Sequence, residues 1–468
     1  MAEAQERCVP VTVRPRWSER DLDAAWETCA LAVRRCLAAL PGAASRVIAV
    51  GIAGHGDGLH LLDARRRPVR PGITALDGRA YPVLREWASD GRLDAIRERT
   101  GVAPHAASPA TLATWVRSEE PAAWRATRWL VCAKDWLRLE LTGELATDPT
   151  DASALLTSLH DRNAPDAAAL ALLGLDELAE RVPPVRASCE VVGALTDVAA
   201  VATGLPARTP VVCGAHDTHV AALGTGVVEP GRLSVVAGTW SINQTLADVP
   251  RTDARWEAHA ALEPGAWLHM ATSPTSAVSL DWILDRLGFE GAVADAVREA
   301  ADAPADPAPI VFHPFLHGTG DAEVPSLVLG LRGWHTRGHL LRAVLDGIVL
   351  RHREHVEALR EAFAPAGAAR LAGGAARSPF WCQLFADGLG TAIEVTDLAE
   401  AGTRGAAALA GVGAGLWPDT TAAGAATVRL ERTYEPDPDG TARLDDLAEL
   451  SALARERLAP LDERFADG

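Results

Sequence analysis

The sequence predicts an α/β protein of two lobes, each built on short buried strands that run into glycine-bearing turns, with ligands held in a cleft between the lobes. Three observations carry this reading. The chain has 468 residues, enough for two or three domains at roughly 100–200 residues each. Apolar runs that end in glycine alternate with amphipathic helical patterns. The cycle of strand, glycine turn and strand starts again after Glu229-Pro230-Gly231, which divides the chain into domains 1–230 and 231–468.

Taken in order, Ser18-Glu19-Arg20-Asp21 supplies a cap and an acidic first turn. Leu22, Ala25, Trp26, Cys29, Ala30, Val33 and Cys36 then repeat at three-to-four spacing, so residues 21–39 read as an amphipathic helix. Residues 46–53 form a buried strand, and the turn Gly54-His55-Gly56-Asp57-Gly58 leads into a second apolar run at 59–63, which reads as a hairpin. Helical patterns broken by Pro104, Pro109, Pro121 and Pro149 fill residues 85–180. Residues 210–214 are a short strand, followed at once by Asp217 and a small-residue helix to Gly224. The second lobe opens with strands 233–237 and 242–246 around Gly238-Thr239-Trp240-Ser241. It continues with a long helix over 336–363, a strand at 369–372, the turn Gly373-Gly374-Ala375 and a helix from Ser378 to about Leu389. Strand 392–395 and a small-residue helix over 402–415 end the pattern. His335, His339, His352 and His355 lie on or beside the long helix, on what reads as its solvated face.

Composition narrows the function. Hydrophobic residues are 48% and charged residues 23%, the balance of a folded globular chain. The 45 Lys+Arg against 62 Asp+Glu give a net charge of -17, which repels phosphate backbones and anionic lipid, so neither nucleic acid nor membrane is an expected partner. Lys134 is the sole lysine, and no glycine loop precedes it. A Walker A loop is thereby excluded, and any nucleotide must be held without a P-loop. Seven cysteines without a C-x-x-C pair fit neither a disulfide framework nor a zinc ribbon. With a polar N-terminus and no long apolar run, the expected location is the cytoplasm.

Asp217, just past a buried strand and flanked by Gly214, Ala215, His216, Thr218 and His219, is placed to act as a general base. The same position suits a helix N-cap. His216 and His219 stand at i, i+3 with no third ligand attached, so no metal site is expected from them. Gly238-Thr239-Trp240-Ser241 offers backbone N–H groups and hydroxyls to phosphate oxygens, or is an ordinary hairpin turn. Gly373-Gly374-Ala375-Ala376-Arg377-Ser378 sits between strand and helix, where glycine permits close approach and a helix N-terminus favours anions. Gly54-His55-Gly56-Asp57-Gly58 is not a dinucleotide fingerprint, since a strand follows it. Asp57 reads as a hydroxyl-binding carboxylate or a turn aspartate, and Leu76-Asp77-Gly78-Arg79 as a further carboxylate with its guanidinium or a surface ion pair.

Jointly and in this order, these stretches resemble the FGGY carbohydrate kinases. The resemblance runs from about residue 8 to residue 420. It takes in Trp17-Ser18-Glu19-Arg20-Asp21, Lys134-Asp135-Trp136-Leu137-Arg138, Leu141-Thr142-Gly143-Glu144, Pro314-Phe315-Leu316-His317-Gly318, His335-Thr336-Arg337-Gly338-His339 and Glu400-Ala401-Gly402-Thr403-Arg404-Gly405 as well as the glycine turns. Gly238-Thr239-Trp240 and Ser273-Pro274-Thr275-Ser276 look most like the L-xylulose/3-keto-L-gulonate kinase branch. The resemblance implies a duplicated ribonuclease H-like (actin/hexokinase-type) two-domain fold, with a sugar-binding first and a nucleotide-binding second domain. It also implies phosphorylation of a pentulose such as xylulose, or of a related keto-sugar or polyol, with ATP and Mg2+. Asp217 would be the base, and His55, Gly56, Asp57, Asp77 and Thr218 would bind the sugar. Gly238, Thr239, Asp281, Gly373, Gly374 and Ser378 would meet the nucleotide. A homodimer is compatible with this reading.

One departure matters. The family begins with a strand hairpin bearing Asp-x-Gly-Thr, and Met1 falls after it, so the first domain is expected to lack that hairpin. Either the natural start lies upstream, or the chain is a sugar-binding regulatory homologue with impaired catalysis.

Overall fold

The computed structural model describes residues 2–304, 308–316, 325–398 and 400–461. They form two compact units. The first comprises Met1–Val228, Asp248–Leu268 and Gly402–Thr427, the second Glu229–Ala247, His269–Ala401 and Val428–Gly468. The division expected at residue 230 lies at the first crossing between the units, and residues 248–268 and 402–427 return to the first.

In the first unit, strands Val11–Arg14 and Trp17–Arg20 pair antiparallel, with Gly72–Ile73 on the far side of the second. Helix Leu22–Ala38 follows. Asp21 caps it, accepting from the Ala24 N–H at 3.0 Å, as the acidic run before Leu22 leads one to expect. The strand expected over 46–53 is realised only in part: Val50 bridges Val211, and Ala53–Gly54 runs parallel to Ala215–His216 in the register Ala53↔Ala215, Gly54↔His216. Its ladder is made along that edge alone among the described residues, which shortens the regular part.

The hairpin expected around Gly54–Gly58 does not form. Strand His60–Leu62 pairs instead with Trp129–Val131, and Leu59 bridges Ile73. The turn therefore carries the chain from one sheet to another, driven by burial of Leu59, Leu61 and Leu62 against Ile73, Leu130 and Trp136. Each such side chain contributes roughly 1.5–3 kcal/mol on leaving water.

The helix Ala401–Gly413 belongs to this unit and lies against the helix Asp217–Thr225. Ala408 and Leu409 share a core with Ala215, Val220, Leu223 and Ala423. The approach is close enough to require glycine. A Cβ on Gly405 would stand 1.8 Å from the Val220 carbonyl oxygen, and one on Gly51 would stand 1.9 Å from that of Ala406. Gly405→Ala is accordingly expected to destabilise the protein by about 1–3 kcal/mol through a forced backbone shift, read as a lowered midpoint of thermal unfolding.

In the second unit the strands lie in the order Trp267–Ser273, Ser241–Ala247, Leu233–Ala237, Ala369–Gly373, Ile393–Thr396 and Leu430–Tyr434. The central pair is parallel, in the register Ser234↔Arg370 to Ala237↔Gly373, and Leu233–Ala237 also forms the expected hairpin with Ser241–Ala247. The long helix spans Arg337–Phe363, buried along Leu341, Val344, Leu345, Ile348, Val356 and Leu359.

His352 and His355 correct the expectation of a solvated histidine face, for both are buried. His352 Nδ1 donates to Asn243 Oδ1 at 2.9 Å, and its Nε2 lies 3.1 Å from the Ser276 hydroxyl. Asn243 Nδ2 reaches His355 Nδ1 at 3.0 Å. Burial pushes the His352 imidazole down to about 3, so it is a neutral core residue. The alternation of the strand Ser241–Ala247 does not reveal that its polar Asn243 supplies these partners. His317 and Gly318 lie outside the described residues.

Candidate active site

Two groups of predicted residues come together, one in each unit. In the first unit, the parallel pairing of Ala53–Gly54 with Ala215–His216 brings the ends of two distant segments side by side. One delivers the turn Gly54–Gly58, the other Asp217 at the first turn of the helix Asp217–Thr225. The side chain of Asp217 is 52% exposed, which leaves it open to a substrate. It is not the helix N-cap. His216 takes that place, its Nδ1 3.3 Å from the Thr218 backbone nitrogen, and Asp217 is left free of the capping role.

His216 Nδ1 also lies 3.0 Å from Asp217 Oδ1 and 2.9 Å from the Thr218 hydroxyl. Desolvation raises the Asp217 carboxyl, but the hydrogen bond and charge of His216 more than reverse this and hold it below its usual range. Desolvation lowers the His216 imidazole. The hydrogen bond and charge of Asp217, with the charges of Asp151 and Asp57, outweigh that and bring it up to about 9.

Asp57 faces the same group. Its Oδ1 lies 3.2 Å from His105 Nε2, and the turn is anchored to that loop by the Gly58 N–H donating to the Ala107 carbonyl at 2.8 Å. Desolvation raises Asp57 and the neighbouring His105 charge more than offsets it, leaving the carboxyl at about 2. His55 Nδ1 is 2.8 Å from the Asp57 carbonyl oxygen, which fixes the turn. Gly56 has no room for a side chain: a Cβ there would stand 2.8 Å from His216 Nε2 and 2.9 Å from Asp151 Oδ1. The Thr218 hydroxyl sits between His216 and His219, 3.2 Å from the Nδ1 of the latter.

Asp77 is not part of this group. Its Oδ1 accepts from the Arg79 backbone N–H and Nε, and its Oδ2 from Arg79 Nη2 and the Ser18 N–H. Arg79 in turn lies over the rings of Trp17 and Trp115, so Asp77 holds a buried platform and its oxygens are spoken for.

Beneath the site lies the sole lysine. Lys134 Nζ is 2.7 Å from Asp135, 3.0 Å from Asp148 and 2.9 Å from Asp151, with all four side chains fully buried. Cys132, Asp135 and Asp151 bring metal-ligand atom types within 4.8 Å of one another, yet the ammonium already supplies the cation these carboxylates need. Burial raises Asp151, and although Lys134 counters this, Asp148 and Asp135 add to the rise, leaving it at about 6.

In the second unit, the parallel strands Leu233–Ala237 and Ala369–Gly373 end side by side in the turns that begin at Gly238 and Gly374. Gly373 has φ +87°, and a Cβ there would stand 2.5 Å from the Ala237 carbonyl oxygen, so only glycine fits the junction. Above Gly238 and Gly374 an added Cβ would meet nothing within 4 Å, which leaves open space over both. Thr239 is exposed at the first turn. The Ala277 N–H donates to the Gly238 carbonyl at 2.9 Å, which brings the helix Ala277–Arg286, with Asp281 exposed on it, to the same turn. Ser378 caps the helix Pro379–Leu389, its Oγ accepting from the Trp381 N–H at 3.3 Å. Glycine turns at strand ends beside helix N-termini are suited to phosphate oxygens.

One unit thus bears carboxylates at two strand ends, and the other has two open glycine turns at strand ends. Residues 1–224 match the FGGY family of carbohydrate kinases, N-terminal domain, and residues 233–414 match its C-terminal domain. The chain belongs to this family. It is 31% identical over 430 residues to the L-xylulose/3-keto-L-gulonate kinase of Escherichia coli (strain K12), an alignment covering 91% of this chain and 86% of that one. It is 32% identical over 450 residues to the xylulose kinase of Streptomyces rubiginosus, covering 94% and 88%. The crystal structure of xylulose kinase from Rhodospirillum rubrum superposes with a TM-score of 0.84 at 26% identity, covering 97% of this chain and 93% of that one. The fold is thus the two-domain sugar-kinase fold, and the protein is a carbohydrate kinase that acts on a small-molecule sugar with ATP as the family's phosphoryl donor.

The sequence reading missed His105, Asp148, Asp151, Glu257 and His259. His259 ring centroids lie 6.3 Å from His216 and 5.7 Å from His219, and its Nε2 is 3.1 Å from Glu257 Oε2. One signal was present: Thr147-Asp148-Pro149 is a cap followed by a first-turn proline, which fixes Asp148 and places Asp151 within the helix Pro149–Ala154. Nothing local marks His105 or His259.

Proposed function

We propose that this protein phosphorylates a hydroxyl of a pentulose such as xylulose, or of a related keto-sugar or polyol, with Asp217 as general base. The half-exposed Asp217 carboxylate, kept ionised beside His216, carries the reading. Asp217 accepts the proton of the attacking sugar hydroxyl while that oxygen bonds to the γ-phosphorus and the bond to the β,γ-bridging oxygen breaks, releasing ADP. Asp57, paired with His105, accepts from a second sugar hydroxyl. His55, Gly56 and Thr218 shape the floor around it, whereas Asp77 supports the unit from a distance. Most of the rate comes from positioning and charge stabilisation.

The nucleotide is assigned to the second unit, its phosphates over Gly238, Thr239, Gly373 and Gly374, with Ser378 and Asp281 beside them. The open space over these glycines fits an approaching phosphate. Mg2+ would neutralise phosphate charge as the metal–nucleotide complex. The Asp135, Asp148 and Asp151 carboxylates do not suit it, since they are buried around Lys134. All seven cysteines are free and no described helix is long and apolar enough to cross a membrane, which supports a cytoplasmic location. The net charge of -17 supports a protein without nucleic-acid or membrane partners.

The test is ADP release across a panel of ketoses, polyols and sugar acids. Turnover of a ketose or polyol is expected; sugar binding with no turnover of any member would overturn the kinase reading. Within that assay Asp57→Ala is expected to raise the sugar KM by about 10–100-fold, the worth of a hydrogen bond to a charged group, with the ATP KM unchanged.

A further inference from the structure

His216 stands in a position that neither base nor sugar contact explains. Its Nδ1 lies 3.0 Å from Asp217 Oδ1, and its ring edge and Asp151 Oδ1 both border the space that a side chain on Gly56 would need. We infer that His216 is a positioning residue for the phosphoryl transfer, its imidazolium holding the Asp217 carboxylate aimed and ionised while the buried Asp151 charge nearby favours the imidazolium. This rests on the reading of Asp217 as the base.

The geometry at Nδ1 supports it. A proton on that nitrogen is donated to Asp217 Oδ1, 3.0 Å away, and without the proton the same lone pair accepts from the Thr218 N–H at 3.3 Å. The two arrangements exclude each other, so the state of Nδ1 decides whether Asp217 is restrained or the helix is capped. The groups facing the ring favour the proton. From its own helix come Asp217 and, with ring centroids 5.5 Å away, His219. The glycine turn contributes Asp57, the helix Pro149–Ala154 contributes Asp151, and the strand Glu257–Ala260 contributes His259.

His219 adds no opposing charge: burial first, then the neighbouring imidazoles His216 and His259, keep it well below the usual histidine range and therefore neutral. Asp151 has no hydrogen-bond partner on either oxygen, and Lys134 at 2.9 Å balances it without replacing its pull on His216. Neutral groups at position 216 would leave Asp217 partly desolvated and unpaired, which moves a carboxyl upward.

The test uses the full-length protein with 13C-labelled histidine, its His216 signal assigned by loss in His216→Asn and in His216→Gln. Asparagine retains the helix cap and lacks the charge. The wild-type His216 signal is expected to titrate above about pH 8, and its midpoint to fall by at least about one unit in Asp217→Asn. In parallel, wild-type kcat/KM is expected to be flat from about pH 5.5 to 8. His216→Asn should acquire an acid limb in that window, its kcat/KM about tenfold lower at about pH 5.5 than at pH 8.

An ordinary His216 midpoint in the wild type, or a His216→Asn profile that superimposes on the wild type, would overturn the inference and leave Asp217 as base. Retained turnover in Asp217→Asn would instead remove the base, and the two histidine titrations would still decide whether the pair exists.

Discussion

Asp217→Asn is expected to lower kcat by about 10²–10⁴-fold, the usual contribution of a general base, while the dissociation constant for the sugar changes by less than about threefold. The amide keeps the shape of the side chain and its place at the first turn of the helix Asp217–Thr225, so the fold of the unit is left alone. What it loses is the basic oxygen and the partner of the His216 proton. ADP release measured with saturating sugar, and sugar binding measured by calorimetry, separate the two effects. A variant that binds sugar normally and turns over at the wild-type rate would take Asp217 out of the chemistry.

The largest effect on stability is expected from Lys134→Met, at about 3–5 kcal/mol, because removing one partner of a buried ionic group leaves the other charges unpaired. Here three carboxylates lose their shared ammonium at once, and Arg138 Nη1, 3.1 Å from Asp135, remains as partial compensation. The sign of the pH dependence follows. Without Lys134 the carboxyls of Asp135 and Asp151 lose the charge that holds them down and their folded-state pKa values rise, and Asp151 already stands at about 6 against an ordinary 3.8. An acid whose folded pKa is raised destabilises the fold as it ionises, so the deficit should widen as pH climbs through the folded pKa. Thermal unfolding at pH 5 and pH 8 measures it, with the larger gap between variant and wild type expected at pH 8. Equal gaps would mean that the carboxylates do not carry the effect.

The parts of the fold that were legible in the sequence are those set by local chemistry. The hairpin around Gly238, the strand into Gly373-Gly374 and the cap at Ser378 each depend on residues within a few positions of one another. Helix Leu22–Ala38 and the long helix Arg337–Phe363 announce themselves by periodicity. The misread elements depend on distant partners. Gly54–Gly58 looks like a hairpin turn until Trp129–Val131 takes up the strand that follows it. His352 looks solvated until Asn243 and Ser276 are brought to it.

The site shows the same division. Asp217 and Asp57 stand at strand ends that composition marks, whereas His105 and His259 join them only through packing. Asp77 lies in a segment that matches the family, but only the geometry of Arg79 shows that both its oxygens are engaged. The single lysine, first informative because it excluded a P-loop, turns out to be the centre of a buried cluster of Asp135, Asp148 and Asp151.

The order in which the ribosome releases the chain gives the segment exchange between the two units a further meaning. Asp217 emerges well before Glu257 and His259, and earlier still than the helix Ala401–Gly413, yet all of them belong to its unit. The Gly101 carbonyl waits for the Ala258 N–H that it accepts from at 2.8 Å, and the face of Asp217–Thr225 that Gly405, Ala408 and Leu409 cover has no cover until that helix arrives. The unit that carries Asp217 is therefore a late product of synthesis, completed only when residues 402–427 have been made.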